Sequence, residues 1–361
     1  MDARTYARFQ TLTELAAPAG YEQPVRLFME QEMAPYVERF ERDRLGGTFG
    51  VMEGNPAGPR IMVAGHMDEV GFMVTHIRPN GTLQLHALGG WSNHVLPAMA
   101  VKVLVQTGAL PGVFTSTPPH LAKADDKAGA PGLDQLFVDI GADDAAHARA
   151  LGVDVGCAVV PDRQLTRMAD PKKLLAKAWD NRYGVGLAIE LVEALHKQGG
   201  KAILPNTLFS GATVQEEVGL RGAGPAAALL KPDLFFGLDC SPASDVYGGS
   251  PTSGQLGQGV LLRLLDRTMV THRGVVEFVK DTASTHRIPY QPFISAGGTD
   301  AGAVHTSGIG VPSTVIGVCA RYIHTAGSIL HTDDYAAAKQ LLVELVKAAD
   351  QSTLDTILAY N

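Results

Sequence analysis

The chain has 361 residues, 45% of them hydrophobic and 19% charged, which excludes a disordered segment, a fibrous array and a disulfide-stapled mini-protein. Thirty Lys and Arg stand against 37 Asp and Glu, a formal charge of −7, with no basic run to track a phosphate backbone, so nucleic acid is not an expected partner. Three widely separated cysteines, Cys157, Cys240 and Cys319, fit buried thiols in a reducing compartment.

The N-terminal twenty residues carry charges every few positions and no apolar run of signal-peptide type, and no window approaches 18 uncharged apolar residues. The expectation is a soluble, cytoplasmic protein that contacts no membrane. Tyr6, Phe9, Leu12, Leu15 and Ala16 recur at helical spacing and predict a helix over Thr5 to Ala17, closed by Pro18 and Gly20. A second helix is expected from Pro24 to Met33. From Thr48 the period changes: GTFGVME and RIMVAGH read as strands, the latter a continuous apolar run suited to a strand covered on both faces.

Between Glu69 and Arg163 the texture is all β. Short runs (Phe72 to Ile77, Thr82 to Leu88, Val101 to Gln106, Leu136 to Ile140) are separated by turn signals at Asn80-Gly81, Pro111-Gly112 and Pro131-Gly132. After Lys173 strands alternate with helices: strand Leu174 to Trp179, helix Asn181 to Lys197, strand Thr207 to Val214, helix Gly222 to Leu230, strand Leu234 to Asp239. Helices over Thr271 to Arg287 and Asp334 to Gln351, and strands near Pro292 and Thr314, continue the series. The expected fold class is α/β, a mixed sheet with helices on both faces, interrupted by a small β-rich domain. The boundaries place the α/β domain at residues 1–68 and 166–361 and the insert at 69–165. An excess of glycine, 40 residues, suits tight turns and close approaches around such a sheet.

Chemistry-bearing residues gather at the strand ends. His66 and Asp68 follow strand Ile61 to Gly65 and, two apart, lie on one side, as a ligating imidazole and its orienting acid would. Asp180 follows the strand at Leu174, where an N-cap is the competing role. Glu216 and Glu217 follow Thr207 to Val214; on a regular strand they would point apart, but a twist at the terminus can present both to one cavity. Asp239 closes an apolar strand, and His324 follows Ser313 to Val318. Two imidazoles and several carboxylates on one sheet edge suit two first-row divalent ions and a hydrolytic water, with one spare carboxylate as general base.

The segments AGHMDEVGFMV, AWDNRYGVG, VQEEVGLRGA, FFGLD, SAGGTDAGAVH and ARYIHT, in that order, resemble the dinuclear metalloaminopeptidase family of glutamyl aminopeptidase and the tetrahedral (TET) aminopeptidases, over nearly the whole chain. The resemblance implies removal of N-terminal residues from peptides with a free amine. On its pattern His66 and Asp239 bind one ion and Glu217 and His324 the other, an assignment that can be exchanged. Asp180 bridges, Glu216 is the general base and Asp68 orients His66. The loop with Gly298, Thr299 and Asp300 is implied to line the substrate pocket. The ions are expected to be zinc or cobalt, with manganese also compatible. The insert corresponds to the family's PDZ-like domain, which helps subunits associate into a homo-oligomer, often a tetrahedral dodecamer. The sequence departs from the family where an acidic residue usually stands four positions after His324: Ser328 is there, and His331 follows. His120, in Pro118-Pro119-His120, matches a family segment but reads as surface loop. Glutamyl or aspartyl preference is implied, although it needs a cation that one sequence cannot place. The alternatives are a dinuclear deacylase or carboxypeptidase, an endoglucanase-like glycoside hydrolase using Glu216 and Glu217, and a non-catalytic assembly protein. The hydrolase is disfavoured because its paired carboxyls must flank a sugar, roughly 5–9.5 Å apart.

Overall fold

Successive residues of the strand Arg60–His66 go to opposite faces of a sheet: Ile61 and Val63 join one buried cluster, Met62 and Ala64 a second. This is the two-residue alternation of a strand covered on both sides. The computed structural model describes residues 1–118, 120–121 and 130–360. Along the chain, α1 (Ala3–Glu14) and α2 (Gln23–Met33) lead into β1 (Arg39–Arg42), β2 (Thr48–Glu53) and β3 (Arg60–His66). The chain then leaves the sheet to form β4 (Gly71–Ile77), β5 (Leu83–Leu88), β6 (Ala100–Val105), β7 (Gly108–Phe114), β8 (Phe137–Asp139), α3 (Ala145–Ala150) and β9 (Ala158–Pro161). It returns through β10 (Thr166–Arg167), β11 (Lys173–Ala176), α4 (Trp179–Lys197), β12 (Thr207–Thr213), α5 (Ala223–Leu230) and β13 (Leu234–Pro242). It ends with β14 (Val260–Leu265), α6 (Arg273–Thr285), β15 (Tyr290–Ile294), α7 (Asp300–His305), β16 (Ser313–Arg321), β17 (Ser328–His331), α8 (Thr332–Ala348) and α9 (Gln351–Leu358).

Strand direction places the site. The sheet runs β1-β2-β12-β3-β13-β16-β17-β11-β10, with β14 and β15 branching from β16. The pairs β12·β3, β3·β13 and β13·β16 are parallel. From β16 to β17 and from β17 to β11 the pairing is antiparallel, and two reversals return β11 to the direction of β16. The carboxyl ends of β3, β12, β13, β16 and β11 therefore form one edge, the place where open α/β sheets put their ligands.

Helices α1, α2, α4, α6 and α8 bury Phe9, Met29, Leu187, Val275 and Leu341 against one face. Against the other, α5 and α7 bury Ala226, Leu230 and Val304. The inserted unit closes β4-β5-β8-β7-β6-β9 into a barrel around Phe72, Leu83, Val103, Phe114 and Val159. Among the described residues no helix is long and apolar enough to cross a membrane.

Three expectations shift. Helix α1 starts at Ala3 because the Asp2 side chain accepts the Thr5 N–H, and it ends at Glu14 because Leu15 turns extended. The expected last helix stops at Ala348, short of Gln351, and an unexpected helix follows: Asp350 accepts the Thr353 N–H and starts α9 as a separate element. Pro111-Gly112, expected as a turn, lies inside β7 opposite Lys102 and Val101. Proline is tolerated there because β8 pairs only with Val113 and Phe114, leaving the far side of Pro111 without a ladder.

Candidate active site

Glycine sets the first distance in the site. A Cβ on Gly65, one residue before His66, would fall 2.8 Å from the Gly184 carbonyl carbon, and one on Gly184 would fall 2.7 Å from the Leu238 carbonyl oxygen. Only bare backbone lets α4 approach β3 and β13 so closely. The approach carries Asp180 to His66. Asp180 and Asn181 depart from helical dihedrals and the peptide between them is cis. Asn181 fastens this entry, donating to the Leu238 carbonyl at 2.6 Å and accepting the Gly184 N–H at 2.9 Å.

Asp180 faces both imidazoles, with Oδ1 3.2 Å from His66 Nε2 and Oδ2 3.3 Å from His324 Nε2. His66 Nε2 also lies 3.9 Å from Asp239 Oδ1 and 3.8 Å from Glu216 Oε2, and His324 Nε2 lies 3.4 Å from Glu217 Oε2. The outer ring nitrogens are already engaged. His66 Nδ1 donates to the Asp68 carbonyl at 3.1 Å, and His324 Nδ1 donates to the Gly90 carbonyl at 2.8 Å. Each ring therefore turns its Nε2 inward.

Adjacent Glu216 and Glu217 reach one cavity because Gln215 takes a left-handed φ of +56°. The buried Asp68 carboxylate fixes the turn by accepting the N–H groups of both, at 3.0 and 3.1 Å. Asp239 Oδ1 accepts the Cys240 N–H at 2.8 Å. The remaining oxygen Oε1 of Glu217 is buried with no hydrogen-bond partner among the described residues.

The electrostatics call for positive charge. Burial pushes Glu216 well above the usual carboxylate range, Glu217 up to about 8 and Asp239 up to about 7, with neighbouring acids adding to each. Burial would lower both imidazoles, yet the surrounding carboxylates win: His66 lies well above its ordinary value and His324 is raised to about 9. Burial would also raise Asp180, but hydrogen bonds to His324 and His66 hold it below its ordinary value.

The donor set fits divalent cations. Ligand atoms about 2.0–2.1 Å from a tetrahedral ion stand about 3.3–3.4 Å from one another. The His66–Asp180, His324–Asp180 and His324–Glu217 separations of 3.2, 3.3 and 3.4 Å match that spacing. Ligand atoms of His66, Asp180 and Glu217 all lie within 4.8 Å of one another.

A cavity of about 500 Å³ opens over this edge, with Asp180, Glu216, Glu217, Asp239 and His324 at its base. Gly298 and Thr299 line it. Asp300 instead turns into the protein, where it is buried and hydrogen-bonded to the Thr213 hydroxyl. His331 caps α8, accepting the Asp333 N–H at 3.2 Å. His120 is exposed, and the neighbouring Pro119 lies outside the described residues.

Two cations of the cavity wall escape the sequence reading. Arg263 is buried, donating to Asp266 Oδ2 at 2.9 Å and to Ser241 Oγ at 2.7 Å. Arg267 is exposed on the wall and makes no ion pair among the described residues. A charge inside the apolar strand VLLRLL was the available signal for Arg263. Arg267, in a polar loop, left none.

The sequence matches the M42 glutamyl aminopeptidase family over residues 46–341. It is 39% identical to the glutamyl aminopeptidase of Lactococcus lactis subsp. cremoris, over 98% of this chain and 99% of that one. The fold superposes on a TET aminopeptidase from a marine-sediment Thaumarchaeota archaeon with a TM-score of 0.95 and 35% identity, covering 99% and 100% of the two chains. It likewise matches the Pyrococcus horikoshii TET1 peptidase, with a TM-score of 0.85 and 27% identity, covering 95% and 99%.

Proposed function

The chain belongs to the M42 glutamyl aminopeptidase family, and from that premise we propose that it removes acidic N-terminal residues from peptides at a two-ion centre built by His66, Asp180, Glu217, Asp239 and His324. Aminopeptidase activity and metal dependence are general to the family. The residue roles, ion number and preference are our reading. It is carried by one observation: the two oxygens of Asp180 face two imidazoles at 3.2 and 3.3 Å. A single bridging carboxylate divides the other ligands into His66 with Asp239 and Glu217 with His324.

Zinc or cobalt, with manganese also compatible, would supply a lowered pKa for the attacking water and positive charge opposite the developing oxyanion. Glu216, against the cavity beside His66, takes the water's proton and returns it to the departing amine. Asp68 holds Glu216 and Glu217 in place through their backbone and holds His66 through its own carbonyl. Arg267 offers the cation for an acidic first side chain, because the charge of Arg263 is already met by Asp266.

We also place the chain in a homo-oligomer of the tetrahedral dodecamer type, with residues 69–165 as the assembly unit. The support is likeness to the Pyrococcus horikoshii peptidase, which assembles into a tetrahedron or an octahedral shell. The unpaired Cys157, Cys240 and Cys319 suit a cytoplasmic setting.

The test is hydrolysis of aminoacyl anilides by chelator-stripped protein reloaded with zinc or cobalt. Glutamyl and aspartyl anilides should be cleaved in preference to leucyl, and N-acetylated glutamyl anilide not at all. Cleavage of the blocked substrate at a comparable rate would defeat the aminopeptidase assignment.

A further inference from the structure

The loop that bears His324 leans on the inserted barrel at two points. His324 Nδ1 donates to the Gly90 carbonyl at 2.8 Å, and Ala326 packs against the barrel's own core. Within the loop Tyr322 and His324 both take left-handed φ values, +59° and +57°.

The barrel segment on the other side is tightly held. Gly89, at φ +91°, has no space for a side chain: a Cβ there would lie 2.6 Å from Val70 Cγ1 and 3.3 Å from Cβ and Oε2 of Glu217. A Cβ on Gly90 would lie 3.4 Å from His324 Nδ1. Trp91 then anchors the segment, its indole donating to the Gly71 carbonyl at 3.2 Å and stacking on Phe72 at a centroid distance of 4.9 Å. His66 is held differently, by Asp68 at the end of its own strand.

The bond made by one ring nitrogen decides what the other can do. The Gly90 carbonyl requires Nδ1–H on His324 and leaves Nε2 free to face Asp180 and Glu217. We infer that the inserted barrel is part of the catalytic centre: Gly89, Gly90 and Trp91 position His324 and Glu217 and so set the affinity of the ion position those two residues share, while the sheet alone sets the position of His66 and Asp239. This rests on the two-ion reading above. It gives the insert a role in the chemistry besides assembly, and it makes barrel displacement cost one ion position rather than both.

The experiment is a titration of the chelator-stripped full chain with Co²⁺, followed by its visible absorption and by competition with a chromophoric chelator. The wild type should bind two ions per chain, and His324→Gln should identify the step that belongs to the barrel-facing position. Trp91→Ala and Gly89→Ala should each weaken that same step by roughly 10–100-fold, the range for losing the outer support of a ligand, and leave the other step unchanged. In the zinc-loaded wild type, ¹⁵N spectra of labelled histidine should show His324 protonated at Nδ1. Unchanged steps in both variants, equal weakening of both steps, or His324 protonated at Nε2 would overturn the barrel's role. A wild type that binds fewer than two ions at this centre would overturn the two-ion reading instead, and this inference with it.

Discussion

Lys177 and Glu69 form a buried ion pair, the ammonium lying 2.5 and 2.7 Å from the two carboxylate oxygens. Glu69 stands where the chain leaves the sheet for the barrel, and Lys177 stands three residues before Asp180, so the pair ties the exit of the insert to the entry of α4. Arg182 reaches the same carboxylate at 3.2 Å. Removing one partner of a buried pair strands the other and typically costs about 3–5 kcal/mol. Lys177→Met should cost less than that range, because Arg182 still faces Glu69, and Glu69→Gln, which strands both cations, should cost more than Lys177→Met. Denaturant unfolding of the two variants checks the order; the reverse order would mean that Arg182 does not share the charge.

Glu216→Gln keeps the shape of the side chain and removes its basicity. General-base catalysis contributes roughly 10²–10⁴-fold, so kcat on glutamyl anilide should fall by about that factor. Ion content should stay at the wild-type level, because the ligand set does not include Glu216. Activity measured together with elemental analysis of the same sample separates loss of the base from loss of the ions.

The candidate site was legible in the sequence because of strand direction. His66, Glu216, Glu217 and Asp239 end apolar runs that pack as parallel neighbours, and such runs are visible without coordinates. The turn that brings Glu216 and Glu217 together was foreseeable as a possibility but not as geometry, since it needs φ +56° at Gln215 and the carboxylate of Asp68. The Gly90 carbonyl was invisible, because a backbone acceptor has no residue signature and its partner lies 234 positions away. Arg267 was hidden for a related reason: only the packing of β14 against β16 and the loop after it decides which cation faces the cavity. Pro111-Gly112 misled because proline marks a turn only where both sides of the strand need a donor.

Stripping the ions should destabilise the fold as well as silence it. Without them Glu216, Glu217 and Asp239 are crowded into one buried site that pushes all three upward from their ordinary carboxylate values, and cations relieve that repulsion. A ligand at 100 times its dissociation constant adds about 2.7 kcal/mol to the stability of the state that binds it. Thermal unfolding of stripped protein should therefore move upward on titration with Zn²⁺ or Co²⁺, and the increment should be much smaller in Asp180→Asn. An equal shift in that variant would locate the stabilising ions elsewhere.

On the proposed reading, Arg267 is the cation behind a preference for acidic residues. A hydrogen bond to a charged group contributes about 1.5–3 kcal/mol, which corresponds to roughly tenfold to a hundredfold in kcat/KM. Arg267→Ala should lose that much on glutamyl anilide and little on leucyl anilide, so the ratio of the two is the informative quantity. Arg263→Ala should instead harm both substrates, since it strands the buried Asp266 and releases Ser241. A ratio unchanged in Arg267→Ala would remove this residue from the specificity pocket.

Asp245 supplies a pH-dependent hold on the loop above the cavity. Its carboxylate accepts from Arg321 Nε at 2.9 Å and Nη2 at 2.7 Å, and the loop it begins carries the cavity residue Ser253. The Arg321 hydrogen bonds lower Asp245 below its ordinary value of 3.8, more than its partial burial raises it. A carboxyl with a depressed folded-state pKa adds stability that is complete above its unfolded value and is lost as pH falls through the folded one. The pair is partly exposed, so the contribution should be modest, about 0.5–1 kcal/mol. Asp245→Asn should therefore unfold more readily than wild type at pH 7, and the two should converge as pH falls below the ordinary value of 3.8 and through the lowered folded-state one. The same variant should raise KM more than it lowers kcat, because the loop shapes the pocket and does not touch Glu216. Unfolding curves at pH 7 and over a descending acid series, beside kinetics on glutamyl anilide, test both halves; a gap between the proteins that does not shrink as the pH falls would show that the side chain acts through packing and not through its charge.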